Sequence, residues 1–348
     1  MRAALESAAL ETGVRREAVS PPEVRGAGRD DVALLVARRA IGSLEHLRFG
    51  SLVSVLEAGD VLVVNNSATV PAALDARAGE QDLRLHLSTR LPGELWAVEA
   101  RQPSGVSSLP LVGAELGPEL MLPDGEKALL LDRAWGSRRL WVAKLTVPAP
   151  AVGDYLSRHG QPIRYPYIRD AWPIDAYQSV FSVVPGSAEM PSAARPFTVE
   201  MVTALVSIGV EIVPVTLHTG VSSLEAGEDP YPEIVEVGED AAERINRAGA
   251  AGRRVIAVGT TAVRAVESAA DRRGRLHPMS GWTDVVIGPD RPVRVVDGLL
   301  TGWHEPESTH LLMLEAVGGA PLVRDSYAAA QSAGYLWHEF GDVHLILP

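Results

Sequence analysis

A chain of 348 residues that is 46% hydrophobic can bury a sizeable core and suggests two domains rather than one. It has no cysteine, which excludes disulfides, thiolate nucleophiles, iron–sulfur clusters and Cys-ligated zinc. A net charge of −12 works against a nucleic-acid partner, because such affinity comes largely from neutralising phosphates.

Residues 1–20 are rich in Ala, Glu and Arg and read as a loose lead-in. They lack the apolar core of a signal peptide, and no run approaches the ~20 apolar residues of a membrane helix, so a cytoplasmic protein is expected. The pattern predicts a helix after Asp31 and another over 44–56. Gly59-Asp60 then turns into an apolar strand over 61–64, ending in Asn65-Asn66. Beyond Pro71 short alternating segments appear, separated by turns such as Pro92-Gly93 and Pro123-Asp124-Gly125, and this texture predicts a small antiparallel barrel.

After Pro150 helices and strands alternate. Thr198 caps a helix that stops near Gly209, and a strand over 210–217 ends in His218-Thr219-Gly220. A helix over 241–251 leads to RRVIAVGTTAVRAVES: a strand over 255–258, the turn Gly259-Thr260-Thr261, then an amphipathic helix. A strand over 293–299 is followed by Trp303-His304-Glu305-Pro306-Glu307-Ser308-Thr309 and a helix over 311–317. The whole predicts an α/β main domain, residues 1–68 and 151–348, interrupted by an inserted small antiparallel β-barrel at 69–150.

The common catalytic motifs are absent: no phosphate loop, no G-x-G-x-x-G after a strand, no H-E-x-x-H and no G-x-S-x-G. His304 and His310 stand six apart, on different faces of any helix, which argues against a metal site. What remains is a set of polar strand exits: Asn65 and Asn66, then His218 and Thr219, then Thr260 and Thr261, then His304, Ser308 and Thr309. In open α/β sheets ligands bind beyond the carboxyl ends of the strands, so these exits together suggest a hydrogen-bonding pocket with a proton shuttle. The Gly259-Thr260-Thr261 corner either caps a helix with a threonine or receives an anionic or strongly polar group on free N–H donors.

GDVLVVNN, YQSVF at 177–181, VTLHTG at 215–220, RRVIAVGTTAVRAVES, VVDGLLTGWHEPEST at 295–309 and YLWHEFGD at 335–342 fall in one order. Together they resemble the S-adenosylmethionine:tRNA ribosyltransferase-isomerase family of queuosine biosynthesis, from about Pro21 to the C-terminus. The resemblance implies an α/β domain with an inserted barrel, S-adenosylmethionine as co-substrate and no metal. It implies transfer of the ribosyl group to an aminomethyl deazaguanine in the tRNA anticodon, with isomerisation and loss of adenine and methionine. His218, Glu233 and His304 are the resulting catalytic candidates, since a base must take a C5′ proton made acidic by the sulfonium and adenine needs a proton donor. Gly259, Thr260, Thr261, Thr219 and Gly220 would line the donor pocket, and Arg264 would pair with the methionine carboxylate or with Glu267.

Departures from the family pattern fall at the acceptor end. N-N-T-R-V-I-P-A-R has become Asn65-Asn66-Ser67-Ala68-Thr69-Val70-Pro71-Ala72-Ala73, losing two arginines, and Y-R-F-F-S-Y-G-D has become Tyr335-Leu336-Trp337-His338-Glu339-Phe340-Gly341-Asp342, losing a third. P-T-A-G-L-H-F-T has become Pro191-Ser192-Ala193-Ala194-Arg195-Pro196-Phe197-Thr198, and both histidines of H-x-M-H-S-E are missing from Glu228-Asp229-Pro230-Tyr231-Pro232-Glu233. With the added acids Glu305 and Glu339, these changes point away from tRNA, and Trp303 and Trp337 offer flat faces either to a planar acceptor or to the core. Three readings follow: the family reaction, the same sulfonium chemistry on a small acceptor or on S-adenosylmethionine alone, and a non-catalytic S-adenosylmethionine-binding protein.

Overall fold

The computed structural model of the protein describes residues 16–221, 230–305 and 308–348. The first strand, β1 (Arg16–Glu17), pairs in parallel with Leu336–Trp337, so the end of the expected lead-in is anchored. Residues 1–15 of that lead-in lie outside the described residues, as do Glu228, Asp229, Pro306 and Glu307. Then come β2 (Ala33–Arg38), β3 (Ser43–Arg48), the single turn α1 (Leu52–Val55), β4 (Val61–Asn65) and β5 (Ser67–Thr69).

Two expected helices are therefore corrected: the segment after Asp31 is a strand, and the 44–56 segment splits into β3 and one short helical turn. The reason is burial on both faces. Leu35 and Ala37 pack in one core cluster while Leu34 and Val36 pack in another, so the run is apolar throughout and carries no strand period to read.

The insertion follows as β6 (Ala73–Ala78), β7 (Gln81–Leu91), β8 (Leu95–Ser104), β9 (Ser107–Pro110), β10 (Glu119–Met121), β11 (Lys127–Arg133) and β12 (Leu140–Leu145). Their order is β12-β11-β10-β6-β7-β8-β9, and β12 also pairs with β8, closing a six-stranded antiparallel barrel. Closure leaves no free edge on those six strands, and Leu74, Leu85, Val98, Leu120 and Leu140 fill the interior.

The chain returns through α2 (Val152–His159), β13 (Val184–Ser187), which pairs with β5, α3 (Val199–Ser207) and β14 (Glu211–His218). The Thr198 hydroxyl accepts the Met201 N–H at 3.1 Å, as its capping role predicts, and Gly209 (φ +93°) ends the helix. Next are β15 (Glu233–Val237), α4 (Glu239–Ala250), β16 (Val255–Val258), α5 (Thr260–Ala269), β17 (Met279–Thr283), β18 (Gly298–Gly302), α6 (Thr309–Gly318), α7 (Ala320–Ala333), β19 (Leu336–Trp337) and β20 (Val343–Leu347).

The main sheet has nine strands in the order β17-β15-β14-β4-β16-β18-β20-β2-β3. Its centre, β14-β4-β16-β18, is parallel, and helices cover both faces. Val61, Val63, Val255 and Ala257 face α4 and α5, whereas Leu62, Val64, Ile256 and Val258 face Phe197, Met201 and Leu205 of the other layer. That double burial explains why β4 and β16 read as continuous apolar runs.

The strand expected at 293–299 lies instead at Gly298–Gly302. The carboxylate of Glu267, 1% exposed on α5, accepts the N–H groups of Arg294, Val295 and Val296 at 2.9–3.2 Å. A side chain thus satisfies donors that a neighbouring strand would otherwise take, and the apolar segment stays a loop.

Candidate active site

A cleft of about 790 Å³, part of it open to solvent, lies at the carboxyl ends of the central strands. Its walls come from Thr219 and Gly220 after β14, Glu233 at the start of β15, Thr260, Thr261 and Arg264 of α5, the 285–287 loop, and Thr309, His310 and Met313 of α6. The barrel contributes Ser88 and Thr89 from β7, where a bulge lies between Leu87 and Thr89. A Cβ on Gly220 would sit 2.6 Å from the Ser88 Oγ, so only glycine lets the barrel approach this closely.

Thr219, Gly220, Glu233, Thr260, Thr261, Arg264 and Thr309 are thus brought to one cleft. The residue before α5 is Gly259 (φ +92°), and it provides no side-chain cap. The threonine-cap reading is therefore set aside: Thr260 and Thr261 are the first helical residues, and the amino end of α5 faces the cleft without a capping oxygen. Arg264 does not take Glu267, the structural partner expected for it. It pairs with Glu233, whose other oxygen accepts the Gly220 N–H at 2.9 Å, and its Nε donates to the Val285 carbonyl at 3.1 Å.

Asn65, Asn66 and His218 are not among the lining residues: the asparagines stand behind the wall, and the half-buried His218 adjoins it through Thr219. Asn65 is fully buried and bridges three elements: its Nδ2 donates to the Leu217 carbonyl at 2.8 Å and the Thr261 hydroxyl at 3.1 Å, while its Oδ1 accepts the Leu217 and Ser67 N–H groups. Asn66 accepts a hydrogen bond from the Thr216 hydroxyl at 2.7 Å. His218 leads directly into the lining residue Thr219; its Nδ1 meets the Ser67 hydroxyl at 2.7 Å, and Ser67 meets Ser187 at 2.6 Å. Burial holds the His218 imidazole below its usual pKa.

His304 precedes α6 rather than lying on it, so helical spacing does not separate it from His310: the two rings are 4.6 Å apart. The Nε2 of His304 meets the Thr301 hydroxyl at 2.7 Å. Burial, then the neighbouring histidines, push His304 well below the ordinary value, and burial together with the Arg264 charge pushes His310 down to about 4. Both rings are neutral at neutral pH. The sequence offers His310 only as a candidate metal ligand, and it gives no sign of Ser88 and Thr89, whose place in the cleft rests on contact between distant segments.

Trp303 is corrected outright. It is 1% exposed, stacks on the His344 ring at 4.9 Å and meets Tyr327, Tyr335 and Trp337, so it belongs to the core. Trp337 is equally buried. Ser308 precedes α6; its carbonyl accepts the Leu311 N–H at 3.1 Å, but its side chain makes no capping hydrogen bond.

A second polar cluster adjoins the histidines. His338 stacks on Tyr167 at 4.9 Å, and its Nε2 lies 3.0 Å from Glu17 and 3.2 Å from Glu305. Burial opposes its charge, but the two carboxylates outweigh burial and raise its pKa to about 9. These three donors lie within 4.8 Å of one another and form the grouping among the described residues that could hold a metal ion. Burial raises the adjacent Glu339 to about 8, with Glu189 adding to the effect. Arg195, the arginine new to this chain, is 2% exposed and tied to Glu23 at 3.0 Å, so it is a structural tie.

Residues 14–346 match the family described as queuosine biosynthesis protein. The chain belongs to this family. S-adenosylmethionine:tRNA ribosyltransferase-isomerases from Desulfitobacterium hafniense and Moorella thermoacetica are each 35% identical to it, over 92% and 95% of this chain and 94% and 96% of their own. The counterpart from Heliobacterium modesticaldum is 33% identical over 99% of this chain and 100% of its own. A crystal structure of S-adenosylmethionine tRNA ribosyltransferase from Thermotoga maritima superposes with a TM-score of 0.51 at 28% identity, covering 92% of this chain and 93% of that one. In this family member, two positions that carry arginine in the family pattern are the buried Ala68 and Ala73. Among the described residues no helix is long and apolar enough to cross a membrane.

Proposed function

We propose that this chain is an S-adenosylmethionine:tRNA ribosyltransferase-isomerase, transferring and isomerising the ribosyl group of S-adenosylmethionine with release of adenine and methionine. The observation that carries the reading is the cleft itself: an uncapped helix amino end and the Arg264 guanidinium line it together with the neutral His310, in a chain matched along its length by enzymes of that name. The donor's carboxylate fits beside Arg264 and the first turn of α5, and its ribose hydroxyls fit the Ser88, Thr89 and Thr219 side chains.

In this reading His218 is the base. Ser67 holds its Nδ1, and a lowered pKa keeps the ring neutral, so Nε2 accepts the C5′ proton that the sulfonium has made acidic. His304 and His310 serve the departing adenine. Glu233 acts through Arg264, fixing the guanidinium that meets the carboxylate.

The deciding experiment incubates the purified protein with S-adenosylmethionine, with and without precursor-modified tRNA, and follows adenine, methionine and ribosylated RNA by mass spectrometry. RNA-dependent adenine release with a ribosyl adduct is expected. A second reading, a small amine as acceptor, draws on the acidic and aromatic cluster of His338, Tyr167, Glu305 and Glu339. It predicts adenine release with the amine and no RNA. Binding of S-adenosylmethionine without any turnover would instead leave the non-catalytic reading.

A further inference from the structure

Residues 247–297 are the basic part of an acidic chain, with nine arginines against five acidic residues. The fold gathers most of these arginines at one place. Arg253 and Arg254 stand at the entry to β16, Arg272, Arg273 and Arg275 on the turn after α5, Arg294 on the loop before β18, and Arg247 near the end of α4. Arg253, Arg254, Arg273, Arg275 and Arg294 line one broad concavity with Asn246 on its flank. Val255 also lines it, so it sits at the amino end of the strand whose carboxyl end leads into the cleft.

Arg254 is committed to Asp60 and Glu57. Arg247, Arg253, Arg272, Arg273, Arg275 and Arg294 are exposed, and among the described residues none of their side chains has an ion-pair or hydrogen-bond partner. The nearby acids are engaged by backbone: Asp271 Oδ1 accepts the Arg273 and Arg275 N–H groups, and Asp297 accepts the Val255 N–H. Four of these, Arg253, Arg273, Arg275 and Arg294, therefore line the concavity without an ion-pair partner, where the Asp297 carboxylate is the acidic side chain in the wall, in a chain whose net charge is −12. Such a surface repels itself and attracts a ligand carrying several negative charges at regular intervals, and the guanidinium fork matches phosphate bidentately.

We propose that this concavity docks the phosphodiester backbone of RNA, holding the body of the substrate while its reacting nucleotide enters the cleft. The proposal rests on the RNA-directed reading above. The scale fits: β16 has four residues at about 3.3 Å each, so cleft and concavity are separated by roughly one strand length. Duplex nucleic acid carries about one charge per 1.7 Å of axis, so a stem flanking the reacting nucleotide presents several phosphates over that span. RNA affinity is thereby carried by arginines remote from the chemistry.

The test measures Kd for tRNA against salt for the wild-type chain, for Arg273→Ala/Arg275→Ala/Arg294→Ala, and for Arg77→Ala/Arg158→Ala/Arg324→Ala, an equal charge change elsewhere. The first triple variant should raise Kd about 10-fold or more at low salt and lower the slope of log Kd on log salt by about two to three. Its turnover at saturating tRNA should match wild type. Equal Kd and slope in wild type and the first triple, or the same loss in both triples, overturns the docking surface while leaving RNA-dependent turnover intact. A wild-type chain that neither binds tRNA nor releases adenine with it overturns both readings.

Discussion

Glu233 and Arg264 are joined by an ion pair in the wall of the cleft, with side chains only 14% and 12% exposed. One carboxylate oxygen faces the guanidinium and the other holds the Gly220 N–H, so the pair links β15, α5 and the exit of β14. Breaking one partner of such a buried pair leaves a charge without compensation, at a cost of about 3–5 kcal/mol. Arg264→Ala should therefore lower the thermal midpoint and also raise KM for S-adenosylmethionine. Glu233→Gln, which keeps shape and the Gly220 contact, should raise KM less. A double-mutant cycle on kcat/KM for adenine release checks this: strictly additive losses would show that the two residues do not act as a unit.

The His218 prediction separates chemistry from folding. His218→Ala should lower adenine release by about 10²–10⁴-fold while melting close to wild type, the range expected for loss of a general base. Ser67→Ala removes the hydroxyl that orients Nδ1 and should cause a smaller loss in kcat with KM unchanged. Full turnover in His218→Ala would remove the base assignment.

Stability should depend on pH through two neighbouring groups. His338 holds its proton to about 9 in the folded chain against an ordinary 6.5, and Glu339 holds its proton to about 8 against 4.5. In both cases the folded chain binds more protons than the unfolded chain, so stability falls as pH rises. The His338 contribution is full below pH 6.5 and is lost as pH climbs to about 9; that of Glu339 declines from 4.5 to about 8. His304, His310 and His344, all depressed by burial, act from the acid side and cost stability as pH drops below 6.5. The thermal midpoint should thus peak at about pH 6–7 and fall toward pH 9. Glu339→Gln should flatten the alkaline fall, and an unchanged slope in that variant would remove Glu339 from the account.

What the sequence reveals follows from which forces leave a local pattern. β4 and β16 are readable because short apolar runs ending in turn residues are what doubly covered parallel strands look like. β2 has the same burial but no turn signal to separate it from a helix. The 293–297 loop looks like a strand because its missing ladder is replaced by one distant carboxylate, Glu267, which no local window contains. At the candidate site, the polar exits fall at the edge of the sheet where the cleft opens, yet Asn65 and Trp303 turn inward. Ser88 and Thr89 arrive from the barrel, and His310 meets His304 because the helix begins between them. These are tertiary facts with no sequence period.

Gly186 gives a test of site geometry that touches no functional group. Its backbone is not in the left-handed region, so alanine is conformationally allowed there. A Cβ at that position would nevertheless lie 2.5 Å from both Cε1 and Nδ1 of His218, closer than van der Waals contact permits. The ring must move, and moving it breaks the Ser67 hydrogen bond that orients it. Misplacing a catalytic group by about 1 Å can cost on the order of 10²-fold in rate, so Gly186→Ala should lower kcat for adenine release by about that factor while leaving S-adenosylmethionine affinity near wild type. Gly220→Ala crowds Ser88 in the cleft wall instead and should raise KM. If Gly186→Ala changed KM alone, the ring beside it would be a wall of the binding site and the base would have to be sought at His304 or His310.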